Sequence, residues 1–64
     1  MIEIVIARSA NAEGETTYHW SVWNGDQQVE ADRITHFSAA DCEAKAVEFC
    51  ERTLGYKPDK ISRH

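Results

Sequence analysis

One capped, amphipathic helix is the feature that most constrains how this 64-residue chain can fold. Ser38 and Asp41 have the spacing of a helix N-terminus, where a serine hydroxyl accepts from a backbone N–H two or three residues later. Gly55 predicts the C-terminus, because glycine adopts the left-handed conformation that ends many helices, and Pro58 prevents continuation. Between these ends the apolar residues fall on one face. The helix is therefore expected to cover one side of another layer.

Three stretches before the helix are predicted to be β-strands. Alternating or β-branched apolar residues indicate strands at 2–8, 16–23 and 27–33. Asn24 and Gly25 stand between the last two strands, and both accept the positive φ of a two-residue type I′ turn. In the register set by that turn, Trp20 faces Val29. The alternation breaks after Ala31, which predicts a bulge or a strand end near residues 32–33.

This register also assigns the side chains of the hairpin to two faces. Tyr18, Trp20 and Val22 are expected to face the helix. His19 would lie opposite Glu30 on the outer face, and Thr17 opposite Asp32. The complete outer set is Thr17, His19, Ser21, Trp23, Asp26, Gln28, Glu30 and Asp32.

The elements add up to a single small α+β domain over residues 1–64. The simplest arrangement is a three-stranded antiparallel sheet in β-β-β-α order, packed on one face by the helix. Residues 57–63 are either a short fourth strand or a tail. No apolar run approaches the roughly 20 residues of a membrane span, and Glu3 stands where a signal peptide needs basic residues. An intact cytoplasmic protein is expected.

The cysteines and histidines predict no catalytic, metal or cofactor site. Cys42 and Cys50 would be roughly 12 Å apart along the helix, too far for a disulfide, so both are interpreted as reduced core residues. Cys42 and His36 form the one sequence-local nucleophile pair, and we interpret it as a buried thiol and a surface histidine. His19, His36 and His64 lack the spacing of zinc ligands. We expect no enzyme.

The charge distribution favours a role in protein binding. The net charge is −4, and the uncompensated acids lie mainly before the helix. Trp23, amid polar side chains, has the character of an interface anchor. The predicted partner-binding residues are Trp23, His19, Asp26, Glu30 and Asp32. Their partner would be a protein with a basic surface, such as a nucleic-acid-binding protein or complex. Pairing through a sheet edge would allow a homodimer.

A small, acidic chain that begins with Met1 and has no catalytic motif resembles the phage-encoded inhibitors of the anti-CRISPR type. That resemblance implies an inhibitor or nucleic-acid mimic. A different interpretation is a nucleic-acid-binding module, similar to double-stranded-RNA-binding or integrase arm-type domains, whose basic stripe would be Lys57, Lys60 and Arg63. Direct nucleic-acid binding is disfavoured, because an acidic body repels phosphates. The layout also fits an antitoxin-like regulatory module, as in HicB-like domains, or another small bacterial domain.

Overall fold

The computed structural model describes all 64 residues and shows an α+β fold with one helix and a four-stranded mixed sheet. The strands are β1 (Ile2–Ala10), β2 (Thr16–Asn24), β3 (Gln27–Ala31) and β4 (Lys60–Arg63). The helix α1 (Ala39–Phe49) follows β3 and continues through a π-helical turn, Cys50–Leu54. No helix is long and apolar enough to cross a membrane.

The sheet has the spatial order β3-β2-β1-β4. The fourth strand makes the sheet mixed, whereas the prediction was a three-stranded antiparallel sheet. β1, β2 and β3 pair antiparallel as expected, but β4 pairs parallel to β1. The chain crosses the sheet as α1 and returns at the opposite edge in the direction of β1. Asp59 fixes this return, because its N–H donates to the Ile2 carbonyl while its Oδ2 accepts from the Ile2 N–H, both at 2.8 Å. Of residues 57–63, for which a strand or a tail was predicted, Lys60–Arg63 therefore form a strand.

The core lies between the sheet and α1. Alternation in β1 and β2 predicted its sheet side correctly, since Ile4, Ile6 and Val22 are fully buried and Trp20 is nearly so. Small side chains on the helix let it lie close to the sheet. The core residues contributed by the helical segment are Cys42, Ala46 and Cys50. Both cysteines are free and buried, as predicted.

The two ends of the helical segment agree with the sequence prediction. The Ser38 hydroxyl accepts from the Asp41 N–H at 3.4 Å. Gly55 has φ 75° and donates its N–H to the Cys50 carbonyl, which closes the π-helical turn. A left-handed residue at this point ends the helical hydrogen-bonding pattern, so the chain can turn toward β4.

Gly55→Ala is expected to lower the free energy of unfolding by about 1 kcal/mol, because an L-residue is strained at positive φ. An added Cβ would meet no atom within 4 Å, so the cost comes from the backbone alone. Urea unfolding measures the change. Gly55→Asn is the control, since asparagine tolerates this conformation and should lose less. Equal stability of the alanine variant and the wild type would contradict the left-handed conformation of Gly55.

The turn of the β2–β3 hairpin differs from the prediction by one residue. Asn24 pairs with Gln27, so Gly25 and Asp26 form the turn. Gly25 has φ 64°, and no residue other than glycine has positive φ. The predicted Asn24-Gly25 type I′ turn is therefore wrong. Of the two residues, only Gly25 adopts the left-handed conformation on which the prediction of a type I′ turn was based.

A β-bulge next to this turn changes the faces of β3. Trp23 pairs with Gln28, whereas Val22 pairs with Glu30, so Val29 has no partner. One extra residue moves every later side chain to the other face. Glu30 therefore shares the helix side of the sheet with Val22, and its predicted place on the outer face is wrong. Val29, predicted to lie opposite Trp20, has no partner at the bulge and is 44% exposed on the edge strand.

Candidate functional site

Asp32 directly follows β3 and organises the connection to α1. Its N–H donates to the Trp20 carbonyl at 3.0 Å, and its Oδ2 accepts from the Trp20 N–H at 3.1 Å. The carboxylate thus takes the place of a backbone carbonyl in the β2–β3 ladder. The connection then rejoins β2 at His36, which exchanges two backbone hydrogen bonds with Tyr18. The predicted position of Asp32 on the outer surface is wrong, because its side chain is only 8% exposed.

Two histidines lie close to the same oxygen of the Asp32 carboxylate. His19 Nδ1 lies 3.2 Å from Asp32 Oδ2, and this ring is 44% exposed. His36 Nε2 lies 3.8 Å from the same oxygen, and this side chain is only 7% exposed. The His36 Nε2 is buried without a hydrogen-bond partner. An unpartnered buried polar atom costs about 1–3 kcal/mol, so this nitrogen needs an explanation.

Cys42, in the first turns of α1, completes a compact cluster. One ligand atom each from Asp32, His36 and Cys42 lie within 4.8 Å of one another. Burial, and secondarily the charge of Asp32, raise the pKa of the Cys42 thiol to about 11. The thiol is therefore protonated at neutral pH and inaccessible, which are poor properties for a nucleophile. The prediction of a buried Cys42 is confirmed, whereas the prediction of a surface His36 is wrong.

A cleft of about 280 Å³ lies beside this cluster, between the β3–α1 connection and α1. Asp32 and His36 both line it, so the cluster borders a space that solvent can enter. The other lining residues are Trp20, Arg33, Ile34, Lys45, Glu48, Phe49, Arg52 and Thr53. Trp20 and Phe49 stack at a tilted 36° with their ring centroids 5.2 Å apart, which gives the cleft a firm apolar wall.

Of the remaining predicted binding residues, Trp23 and Asp26 are not part of this cluster or its cleft, whereas Glu30 lines a neighbouring smaller cleft together with Asp32. Trp23 is half-buried on the outer face, where its indole N–H donates to Ser21 Oγ at 2.9 Å. Asp26 is exposed in the β2–β3 turn, and Glu30 is half-buried on the edge strand. The structure thus brings His19 and Asp32 together. It leaves Trp23, Asp26 and Glu30 on the hairpin.

Sequence reasoning misses the cluster because it treats the members separately. The predicted register places Asp32 on the surface, and proximity in the chain pairs His36 only with Cys42. The sequence does contain an indication of this cluster. The connection between the third strand and the capped helix is short, so the first helical turn stays near the end of that strand. Polar ligand-type residues on both sides of the Ser38 cap are the pattern that indicates a shared site.

No protein-family model, no curated protein and no solved structure matches the chain. The function proposed below therefore depends on the residues and geometry of this chain alone.

Proposed function

We propose that this chain is a non-enzymatic binding protein that docks an acidic surface on a basic surface of a partner protein. The observation that supports the proposal is a run from residue 9 to residue 32 that contains five acids and no Lys or Arg. This run includes all of β2 and β3. Acids that form no ion pair with Lys or Arg give a surface a negative charge that attracts basic partners and repels acidic ones.

Ion pairing makes the asymmetry sharper. Outside the run, three of the six acids form ion pairs, since Glu3 pairs with Lys60, Glu43 with Arg63 and Glu48 with Arg52. Within the run, the Asp32 carboxylate accepts from the Trp20 N–H and lies close to His19 and His36 in the interior. The four remaining acids make no ion pair, and they are Glu13, Glu15, Asp26 and Glu30.

The proposed docking surface is the hairpin end around the edge of the sheet, defined by Trp23 on the outer face, Asp26 in the turn, Val29 at the bulge and Glu30 on the helix side. It combines a half-buried indole and an exposed valine with two unpaired carboxylates. Aromatic anchors beside charged groups are typical of protein interfaces. At physiological salt the screening length is about 8 Å, so these acids act on a partner only at close range.

The partner that fits is a protein whose basic surface binds nucleic acid. The chain would occupy that surface as an inhibitor or mimic, consistent with its resemblance in profile to phage-encoded inhibitors. Direct binding of nucleic acid fits poorly, because the unpaired acids repel phosphates. Pairing of two copies through β3 is a competing use of this edge, and the bulge at Val29 opposes it because it interrupts the ladder.

The test compares two double variants with the same change in net charge. Asp26→Asn with Glu30→Gln neutralises the hairpin end, and Glu13→Gln with Glu15→Gln neutralises the β1–β2 loop. That loop lies at the other end of β2, about 25 Å away at roughly 3.3 Å per residue. Proteins captured from a host extract by the wild type are identified, and the affinity of each purified candidate is measured at several salt concentrations.

We expect the hairpin variant to bind its partner about ten-fold more weakly, since each exposed ion pair contributes about 0.2–1 kcal/mol, and its salt dependence to flatten. The loop variant should bind nearly as the wild type. Equal losses in both variants would show that only net charge matters. Unchanged binding in the hairpin variant, or a gel shift of nucleic acid by the purified chain at low salt, would contradict the proposal.

A further inference from the structure

We propose that Asp32, His36 and Cys42 form a binding site for one divalent transition-metal ion, with zinc as the best fit. Carboxylate oxygen, imidazole nitrogen and thiolate sulfur are the three ligand types that zinc takes in proteins. Magnesium and calcium prefer oxygen alone, so the sulfur and nitrogen favour a softer ion. The site shares no residue with the hairpin end proposed for docking.

The geometry is close to that of a coordination site. The three ligand atoms lie within 4.8 Å of one another, and the Asp32 Oδ2 to His36 Nε2 distance is 3.8 Å. With zinc–ligand bonds of about 2.0–2.3 Å, ligand atoms in a tetrahedral site are about 3.3–3.8 Å apart. The oxygen–nitrogen edge of the triangle is therefore within about 0.5 Å of the required length. The two edges to sulfur need to shorten by at most about 1.3 Å, which side-chain rotations can supply.

The unpartnered nitrogen of His36 is the second, independent observation. This side chain is only 7% exposed, and its Nε2 has no hydrogen-bond partner although it points toward the Asp32 carboxylate. Nitrogen and oxygen at 3.8 Å are too far apart for a hydrogen bond, but a shared cation would bind both. The ion would also balance the buried charge of Asp32, which burial otherwise disfavours.

His19 has the position of a residue that orients a metal ligand. Its Nδ1 lies 3.3 Å from Asp32 Oδ1 and 3.2 Å from Asp32 Oδ2. A protonated Nδ1 would donate to the carboxylate and hold its orientation. The fourth coordination position faces the cleft that Asp32 and His36 line, where water can enter. The proposed ion therefore has three protein ligands and one exchangeable position.

Binding of the ion replaces the S–H bond of Cys42 with a bond from sulfur to the metal. The S–H bond of Cys42 breaks, its proton goes to solvent, and the sulfur donates its electron pair to the metal as thiolate. No electron is transferred, so no oxidant or reductant is needed. Thiolate ligation by cobalt(II) produces a sulfur-to-metal charge-transfer band, which reports this step directly, and a tetrahedral site gives visible d–d absorption.

The experiment titrates the chelator-treated, full 64-residue chain with cobalt(II) and then with zinc. We expect one ion per chain, a charge-transfer band that saturates at that ratio, displacement of cobalt by zinc, and a higher melting temperature with zinc. Long-range ¹H–¹⁵N spectra of the wild type should show the His36 ring shifting while the His64 ring does not. This measurement needs no variant, so it stands even if a core substitution fails to fold.

Variants separate the site from adventitious binding. Cys42→Ser should abolish the charge-transfer band, whereas Cys50→Ser, a buried cysteine outside the cluster, should retain it. His19→Ala should retain the band but weaken zinc binding about 10–100-fold, as expected for a residue that acts through a ligand. Absence of saturable binding, a band that survives Cys42→Ser, or zinc shifts at His64 without shifts at His36 would overturn the proposal.

Discussion

Asp32→Ala is expected to lower the free energy of unfolding by about 2–4 kcal/mol, far more than removal of an unpaired surface acid such as Asp26. The change leaves the Trp20 N–H without its acceptor and removes the carboxylate between His19 and His36. Loss of one partner of a buried polar group costs about 1–3 kcal/mol, and more when the group is charged. A domain of this size has little stability to spare.

Chemical denaturation followed by tryptophan fluorescence measures this effect. Asp32→Asn is the matched variant, because its amide oxygen can still accept from the Trp20 N–H while the charge is lost, and it should cost about half as much. Asp26→Ala is the surface control, with a change within about 0.5 kcal/mol. If Asp32→Ala proved no more harmful than Asp26→Ala, the interior role of Asp32 would be wrong.

The metal-free protein is expected to lose stability steeply above pH 9. Burial, and then the charges of Glu51 and Asp59, raise the pKa of the Cys50 thiol above its usual 9.0. Above pH 9 the unfolded chain has released this proton while the folded chain retains it, so rising pH favours unfolding. Below pH 9 both states bind the proton and the contribution is constant. Cys42, whose pKa is raised to about 11, acts in the same direction.

The slope of the unfolding free energy against pH, compared between the wild type and Cys50→Ala, separates the contribution of the Cys50 thiol from the titration of tyrosine and lysine. Each such thiol contributes up to about 1.4 kcal/mol per pH unit where only the unfolded state is ionised. Urea unfolding of the wild type and of Cys50→Ala, between pH 8 and 10.5 with a chelator present, measures it. Cys50→Ala should start less stable but decline less steeply. Parallel declines in the two proteins would contradict the raised pKa.

Local chemistry explains what could be predicted of the fold. The ends of the helical segment follow from Ser38 and Gly55, whose side chain and φ act on their own neighbours. The inward faces of β1 and β2 follow from alternation, because both strands lie in the middle of the sheet under the helix. In these cases the local preference and the tertiary environment agree.

The register of β3 could not be predicted, because two turns one residue apart were nearly equivalent locally. Asn24-Gly25 is the stronger hairpin pair, but Gly25-Asp26 is the turn that forms. At the edge of the sheet, beyond the helix, little is gained by burying Val29, so a bulge there costs little. The parallel pairing of β4 with β1 was equally hidden, since it depends on where α1 returns the chain.

The cluster around Asp32 depends on that unpredicted register. Only the bulge and the strand end bring Asp32 opposite Trp20, where a backbone N–H needs an acceptor. Sequence reasoning identified His19 and Asp32 as interesting, but for a surface role. Their observed contact, together with the proximity of His36 and Cys42, indicates an interior polar site bordering a cleft. Trp23, Asp26 and Glu30 remain the predicted docking residues.

Amide hydrogen exchange at Trp20 tests the central claim, that the Asp32 carboxylate replaces a backbone acceptor in the β2–β3 ladder, most directly. In the folded wild type, the Trp20 amide should exchange as slowly as its hydrogen-bonded neighbours in β2. In Asp32→Ala, the protection factor of the Trp20 amide should fall at least about ten-fold. The protection factor of the Val22 amide should change only as much as the lower free energy of global unfolding requires. Fast exchange at Trp20 in the wild type, or protection unaffected by the substitution, would contradict the structure proposed for this site.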